Sequence, residues 1–173
     1  MRPDQVFKTL DSGGVSRFHT RRCIHPQGVD AHSWQVAALC MMITRGRASA
    51  GLLWAALTHD VGEIATGDVP GPVKRANPEV ERIFNSLELD HIVSLELPAP
   101  LLLPGESTVL HAADSLSGAY YCLVERRMGN RVLEGSFGRY IKALRGLNQN
   151  DAHSHFINEL TSYLENEYDN LRK

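Results

Sequence analysis

Cysteine is scarce in this chain, as are long hydrophobic runs and excess positive charge, and each shortage excludes a class of protein. The three cysteines, Cys23, Cys40 and Cys122, are odd in number, far apart and without CxxC spacing. They can build neither a disulfide framework nor a zinc knuckle, and they read as reduced thiols in or near a core. No apolar stretch approaches the length a bilayer requires, and the N-terminal MRPDQVFKTLDSGG is amphipathic rather than a signal peptide. A cytoplasmic protein with no membrane partner is therefore expected. The net charge of −2 and pI of about 6.4 argue against a nucleic-acid polymer as partner, since such binders carry a strongly basic surface. Internal repeats, low-complexity tracts and convincing period-two alternation are also missing, which leaves little room for a sheet or a solenoid.

What is present is helical periodicity. The 173 residues suit a single domain, 1–173, with a core large enough to need no disulfide or structural metal. A short helix fits 3–10, followed by a loop from Gly13 to Val29. Asp30 has the character of an N-cap for a helix running to about Arg45, with Val36, Leu39, Cys40 and Ile43 inward. A second strong helix spans about 49–61, with Leu53, Ala56 and Leu57 on one face. The proline- and glycine-rich 66–78 segment is expected to be loop. Further helices are expected at 79–95 (Val80, Ile83, Phe84 and Leu87 inward), 106–128 and 151–171, separated by the break LPAPLLLPGE. The fold class is thus all-α, a bundle of about six helices.

Three of these helices carry an ionisable residue in the apolar stripe: His32, Asp60 and Asp114. His59 lies beside Asp60. Each residue alone has an ordinary explanation, a hydrogen-bonded core histidine or a carboxylate paired with arginine. Several converging on one interior suggest a shared ligand, because an unpartnered buried carboxylate is costly. Two imidazoles and two carboxylates suit a divalent ion such as Co²⁺, Mn²⁺, Zn²⁺, Fe²⁺ or Mg²⁺, and supply no thiolate for Cu(I). Glu63 and Asp68 follow where the chain turns, and two carboxylates in one site can divide acid and base roles.

The pattern H…HD…D, in VDAHSWQVA, WAALTHDVGEIATGDVPGPVK and LHAADSLSGAYY, resembles the HD-domain phosphohydrolases over roughly residues 15–130. The run HDVGEIATGDVPGPVK is similar to bacterial 5′-deoxynucleotidases and to shorter phage enzymes that hydrolyse deoxynucleoside triphosphates. The resemblance implies an HD-domain helical bundle with His32, His59, Asp60 and Asp114 as metal ligands and Glu63 and Asp68 as catalytic carboxylates. It implies substrate contacts from Arg17, Phe18, Thr20, Pro72, Lys74 and His111. It also implies a deoxynucleotide partner, a homo-oligomer and, were the chain phage-encoded, a host cytoplasm. Two positions depart from the pattern: Phe18 stands where tryptophan is usual, and His111 where lysine is common.

A compact chain and a short Asp60–Asp114 separation, like those of the phage enzymes, place triphosphohydrolysis first, with triphosphate as product, and the resemblance implies dATP as substrate. Hydrolysis of deoxynucleoside monophosphates is the alternative, and a non-catalytic nucleotide-binding module is the alternative of another class. A two-metal phosphodiesterase would need His91, His153 or His155 as further ligands, and none has a suitable spacing.

Overall fold

The structure, a computed structural model, describes residues 2–147 and 152–171. These residues form eight α-helices and one minimal two-stranded ladder, so the all-α expectation holds with more helices than the six expected. They are α1 Pro3–Asp11, α2 Val29–Ile43, α3 Ala50–Thr58, α4 Gly71–Ala76, α5 Pro78–Ser94, α6 Glu106–Arg127, α7 Glu134–Arg145 and α8 Ser154–Asn170. The expected start of the last helix, Asp151, lies outside the described residues.

Helix α6 is the axis of the bundle. It packs against α2, α3, α7 and α8, and so is buried on most sides instead of along one stripe. Val109, Ala112, Ala113, Leu116, Ala119, Cys122 and Leu123 are all buried. Onto it α2 lays Val36, Cys40 and Ile43, α3 lays Leu52 and Ala56, and α8 lays Ile157 and Leu164. Cys40 and Cys122 sit in this core as free thiols, as expected, and Cys23 packs at its edge. At the far end the Phe137 ring stacks on Tyr168 with centroids 3.8 Å apart.

Several local expectations are corrected. Helix α2 begins at Val29, with Gly28 in the N-cap position; the Asp30 carboxylate instead accepts from the adjacent Ala31 amide. The Gly13–Val29 segment is not wholly loop, because β1 (Ser16–Arg17) pairs antiparallel with β2 (Gln27–Gly28), Arg17 opposite Gln27. Prolines do not keep 66–78 a loop: Pro72 stands in the first turn of α4, where a missing amide costs nothing.

On α3 the buried face is Leu52, Ala55 and Ala56, while Leu57 is exposed. A side chain on Gly51 would run into the Leu101 carbonyl, and the Trp54 indole donates to Pro98 O at 2.8 Å, so the 98–101 loop covers the other side. Helix α5 buries nothing fully; Ile83 and Leu87, expected inward, are about half exposed because this helix packs chiefly on the 61–65 segment and α4. Among the described residues no helix is long and apolar enough to cross a membrane.

Candidate active site

The bundle brings three chain segments to one point. His32 comes from the first turn of α2 and is fully buried; His59 and Asp60 follow the end of α3; Asp114 comes from the middle of α6. His32 Nε2 lies 3.1 Å from Asp114 Oδ1 and 3.6 Å from Asp60 Oδ2. His59 Nε2 is 3.4 Å from Asp60 Oδ1 and 3.2 Å from His32 Nε2. One ligand atom each from His32, His59 and Asp114 fall within 4.8 Å of one another.

The hydrogen bonds behind the imidazoles fix which nitrogens face inward. His59 Nδ1 meets the Ala56 carbonyl at 3.0 Å, and a carbonyl only accepts, so Nδ1 carries the hydrogen. Ser117 Oγ donates to Gln35 Oε1 at 2.7 Å and so is left to accept from His32 Nδ1 at 2.9 Å. Gln27 Nε2 donates to the same Gln35 oxygen at 3.3 Å. Burial, abetted by the Arg17 charge, pushes the His32 pKa down and keeps the ring neutral. The neutral His32 ring therefore points its Nε2 lone pair at His59 Nε2 across 3.2 Å, with carboxylate oxygens alongside. Such a donor set is repulsive by itself and fits a divalent cation. Orientation of a metal-binding histidine by its second nitrogen strengthens binding. Ser117→Ala is accordingly expected to weaken Mn²⁺ or Co²⁺ affinity about 10–100-fold in a chelator competition titration. Unchanged affinity would show that Ser117 does not set the tautomer.

Carboxylates crowd the same region. Burial, then Asp60 and Asp68, push the Glu63 pKa up to about 9, although Arg17 pulls it down. Its Oε2 is buried without a hydrogen-bond partner. Asp114 behaves oppositely: burial would raise its pKa, but the facing His32 and His59 rings and the Arg17 guanidinium hold it at about 2. One carboxyl that keeps its proton thus stands near one that does not. Gly62 matters here because a side chain would strike Glu88 of α5, which packs closely over the 61–65 segment.

Arg17 is 9% exposed, yet its Nε and Nη1 have no hydrogen-bond partner. Burial opposes its charge, but Asp60, Tyr140, Asp114 and Asp68 raise its pKa and keep it cationic. It is placed by backbone strain at the next residue. Phe18 has φ +54°, a left-handed conformation rarely adopted by a bulky residue. Asp68 Oδ2 holds that kink by accepting from the Phe18 amide at 2.8 Å, and the Phe18 ring stacks on Tyr121 at 5.0 Å.

A cavity of about 280 Å³ opens beside these groups. Arg17, Phe18, Thr20, Asp68, Pro72 and the metal-ligating candidate Asp114 line it. Two expected substrate contacts are not brought to its wall. Lys74 Nζ is paired with Glu88 Oε1 at 3.0 Å, and His111, one turn before Asp114, is exposed outside the lining. The opposite wall comes from α7, through Ser136, Arg139 and Tyr140, with His19 and Arg21 at the Phe18 side. None of these five is in the set expected from the sequence. The apolar spacing Leu133, Phe137, Ile141, Leu144 could have found α7, but Gly135 and Gly138 dilute its helical signature.

Comparison with known proteins agrees with this geometry. The model of the family described as 5′-deoxynucleotidase YfbR-like matches residues 11–164. A curated 5′-deoxynucleotidase of Vibrio parahaemolyticus is 31% identical, the match covering 67% of this chain and 71% of the relative. One from Photorhabdus laumondii is 30% identical over 75% of this chain and 77% of the relative. Among solved structures, an HD-domain phosphohydrolase from Listeria innocua superimposes with a TM-score of 0.77 at 19% identity, covering 98% of this chain and 93% of the other. The cyanophage S-2L HD phosphohydrolase DatZ, solved with dA and one catalytic Zn²⁺, gives 0.65 at 21% identity over 95% and 96%. At these identities the two structures speak for the fold.

Proposed function

The chain belongs to the YfbR-like HD-domain family, and from that premise we propose that it is a metal-dependent 5′-deoxynucleotidase, releasing inorganic phosphate and a deoxynucleoside from 2′-deoxynucleoside 5′-monophosphates. The observation that carries the reading is the juxtaposition of an unpartnered buried guanidinium, Arg17, with a cation-binding donor set. A phosphate ester satisfies both at once. The triphosphate reading placed first by chain length gives way here, because the curated relatives are named for the monophosphate reaction.

A divalent ion held by His32, His59, Asp60 and Asp114 would polarise a phosphoryl oxygen and supply an acidified water. Arg17 binds the non-bridging phosphoryl oxygens and neutralises their charge as the bond to phosphorus forms. Glu63, in its ionised form, takes the proton of the attacking water on Oε2, an oxygen with no hydrogen-bond partner among the described residues. The phosphorus–5′-oxygen bond breaks, and the proton held by Glu63 is the one the departing 5′-oxygen needs. Asp68 keeps the Phe18 kink closed and so keeps Arg17 aimed inward.

A second reading has its own observation. Arg21, Arg139 and His19 add cationic or titratable groups around the cavity beyond Arg17, which favours a longer phosphate chain, as in dATP cleaved to deoxyadenosine and triphosphate. Incubation of metal-loaded protein with dAMP, dGMP, AMP and dATP, followed by product separation, decides between them. Phosphate from the deoxynucleoside monophosphates is expected. Tripolyphosphate from dATP would promote the second reading, and no turnover of any nucleotide would leave a non-catalytic nucleotide-binding module.

A further inference from the structure

Helix α7 presents Ser136, Arg139, Tyr140 and Ala143 to the cavity, the i, i+3, i+4, i+7 spacing of one helical face. Its other face, Phe137, Ile141 and Leu144, is locked in the core, so the cavity-lining face is held in place. Of its residues Tyr140 is the one that packs on α6. Its ring lies against α6 at Gly118, where an added Cβ would come within 2.6 and 2.7 Å of the Cε1 and Cε2 atoms. Only glycine leaves room for that ring. Gly118 is one turn from Asp114 on the same helix, so the ring is docked beside a metal-ligating candidate.

The phenol then stands among charges to which it is not bonded. Arg17, Asp114 and Asp68 all act on it electrostatically, yet the hydroxyl has no hydrogen-bond partner among the described residues. Burial raises its pKa, which keeps it an O–H donor. Arg17, whose buried Nε and Nη1 are also unpartnered among the described residues, lines the same cavity. Donor side chains from β1 and α7 thus line one space, and an anion with several acceptor oxygens is the ligand that suits them together.

We propose that Tyr140 is a substrate-binding residue, its phenolic O–H donating to a phosphoryl oxygen alongside Arg17. The proposal rests on the reading of this site as a phosphate-ester site, but its test does not need turnover. Tyr140→Phe keeps the ring on Gly118 and removes only the hydroxyl. In metal-loaded protein, inorganic phosphate binding measured by calorimetry is expected to weaken about tenfold. The thermal midpoint and metal stoichiometry should stay at the wild-type values. The inhibition constant of the product deoxynucleoside, which lacks phosphate, should not move. With dAMP, kcat/KM should fall by about tenfold or more. Unchanged phosphate affinity overturns the proposal whatever happens to activity. Equal weakening of deoxynucleoside and phosphate binding also overturns it, since the hydroxyl would then serve the sugar. Should wild-type protein bind phosphate but hydrolyse no nucleotide, the functional reading fails while the Tyr140 comparison stands.

Discussion

Asp60→Asn is expected to lower kcat for deoxynucleotide hydrolysis by on the order of 10³-fold or more, with the folded protein retained. The size follows from position. Asp60 places one oxygen 3.6 Å from His32 Nε2 and the other 3.4 Å from His59 Nε2, so its carboxylate joins the two imidazoles into one donor set. Asparagine keeps the shape but removes the negative charge that a divalent ion requires. The fold should not suffer, because Asp60 is one of several crowded carboxylates. It is among the charges that push Glu63 up, and its removal relieves that repulsion. Circular dichroism and thermal melting should therefore give a metal-free Asp60→Asn protein at least as stable as the metal-free wild type. Wild-type turnover by this variant would remove the metal-site assignment altogether.

The candidate metal ligands are legible because they break a pattern that the rest of the chain keeps. His32 and Asp114 interrupt apolar stripes on α2 and α6, and a stripe is a local property of the sequence. Asp60 was legible for a partly mistaken reason. It does not continue the buried face of α3, since that helix ends at Thr58 and the buried face is Leu52, Ala55 and Ala56. The far wall of the cavity was not legible. Tyr140 and Arg139 lie on a helix whose two glycines blur its periodicity, and the approach of Tyr140 to Arg17 depends on the Gly118 contact, which no local pattern encodes. The exposed face of α5 shows the complementary limit: helical spacing announces an apolar face without saying what covers it. The proposed nucleotide substrate is legible only through resemblance, because one such donor set would serve cleavage of monophosphates and triphosphates alike.

Uptake of Mn²⁺ or Co²⁺ is expected to release close to one proton at about pH 7, falling to about half a proton at about pH 9, with apparent affinity rising by up to about tenfold per pH unit in that window. The source is Glu63. Burial, Asp60 and Asp68 hold its carboxyl protonated up to about pH 9, against an ordinary value of 4.5. A divalent cation in the adjacent donor set adds positive charge, favours the carboxylate and drives the proton off. The other shifted groups at this centre do not titrate there: His32 is pushed down by burial, and Asp114 has lost its proton by about pH 2. The same shift sets the stability of the metal-free fold. A carboxyl whose pKa is raised on folding favours the native state below its unfolded value of 4.5, and that contribution is lost as pH rises towards about 9. Metal-free protein should therefore melt at progressively lower temperature across this range, and the rise in melting temperature on adding metal should be larger at pH 8.5 than at pH 7. Glu63→Gln isolates the effect: its metal affinity should lose most of its slope between pH 7 and 9, and its hydrolysis should fall with the loss of the proton acceptor. An undiminished slope in Glu63→Gln would move the released proton to another group and take from Glu63 its role as the base.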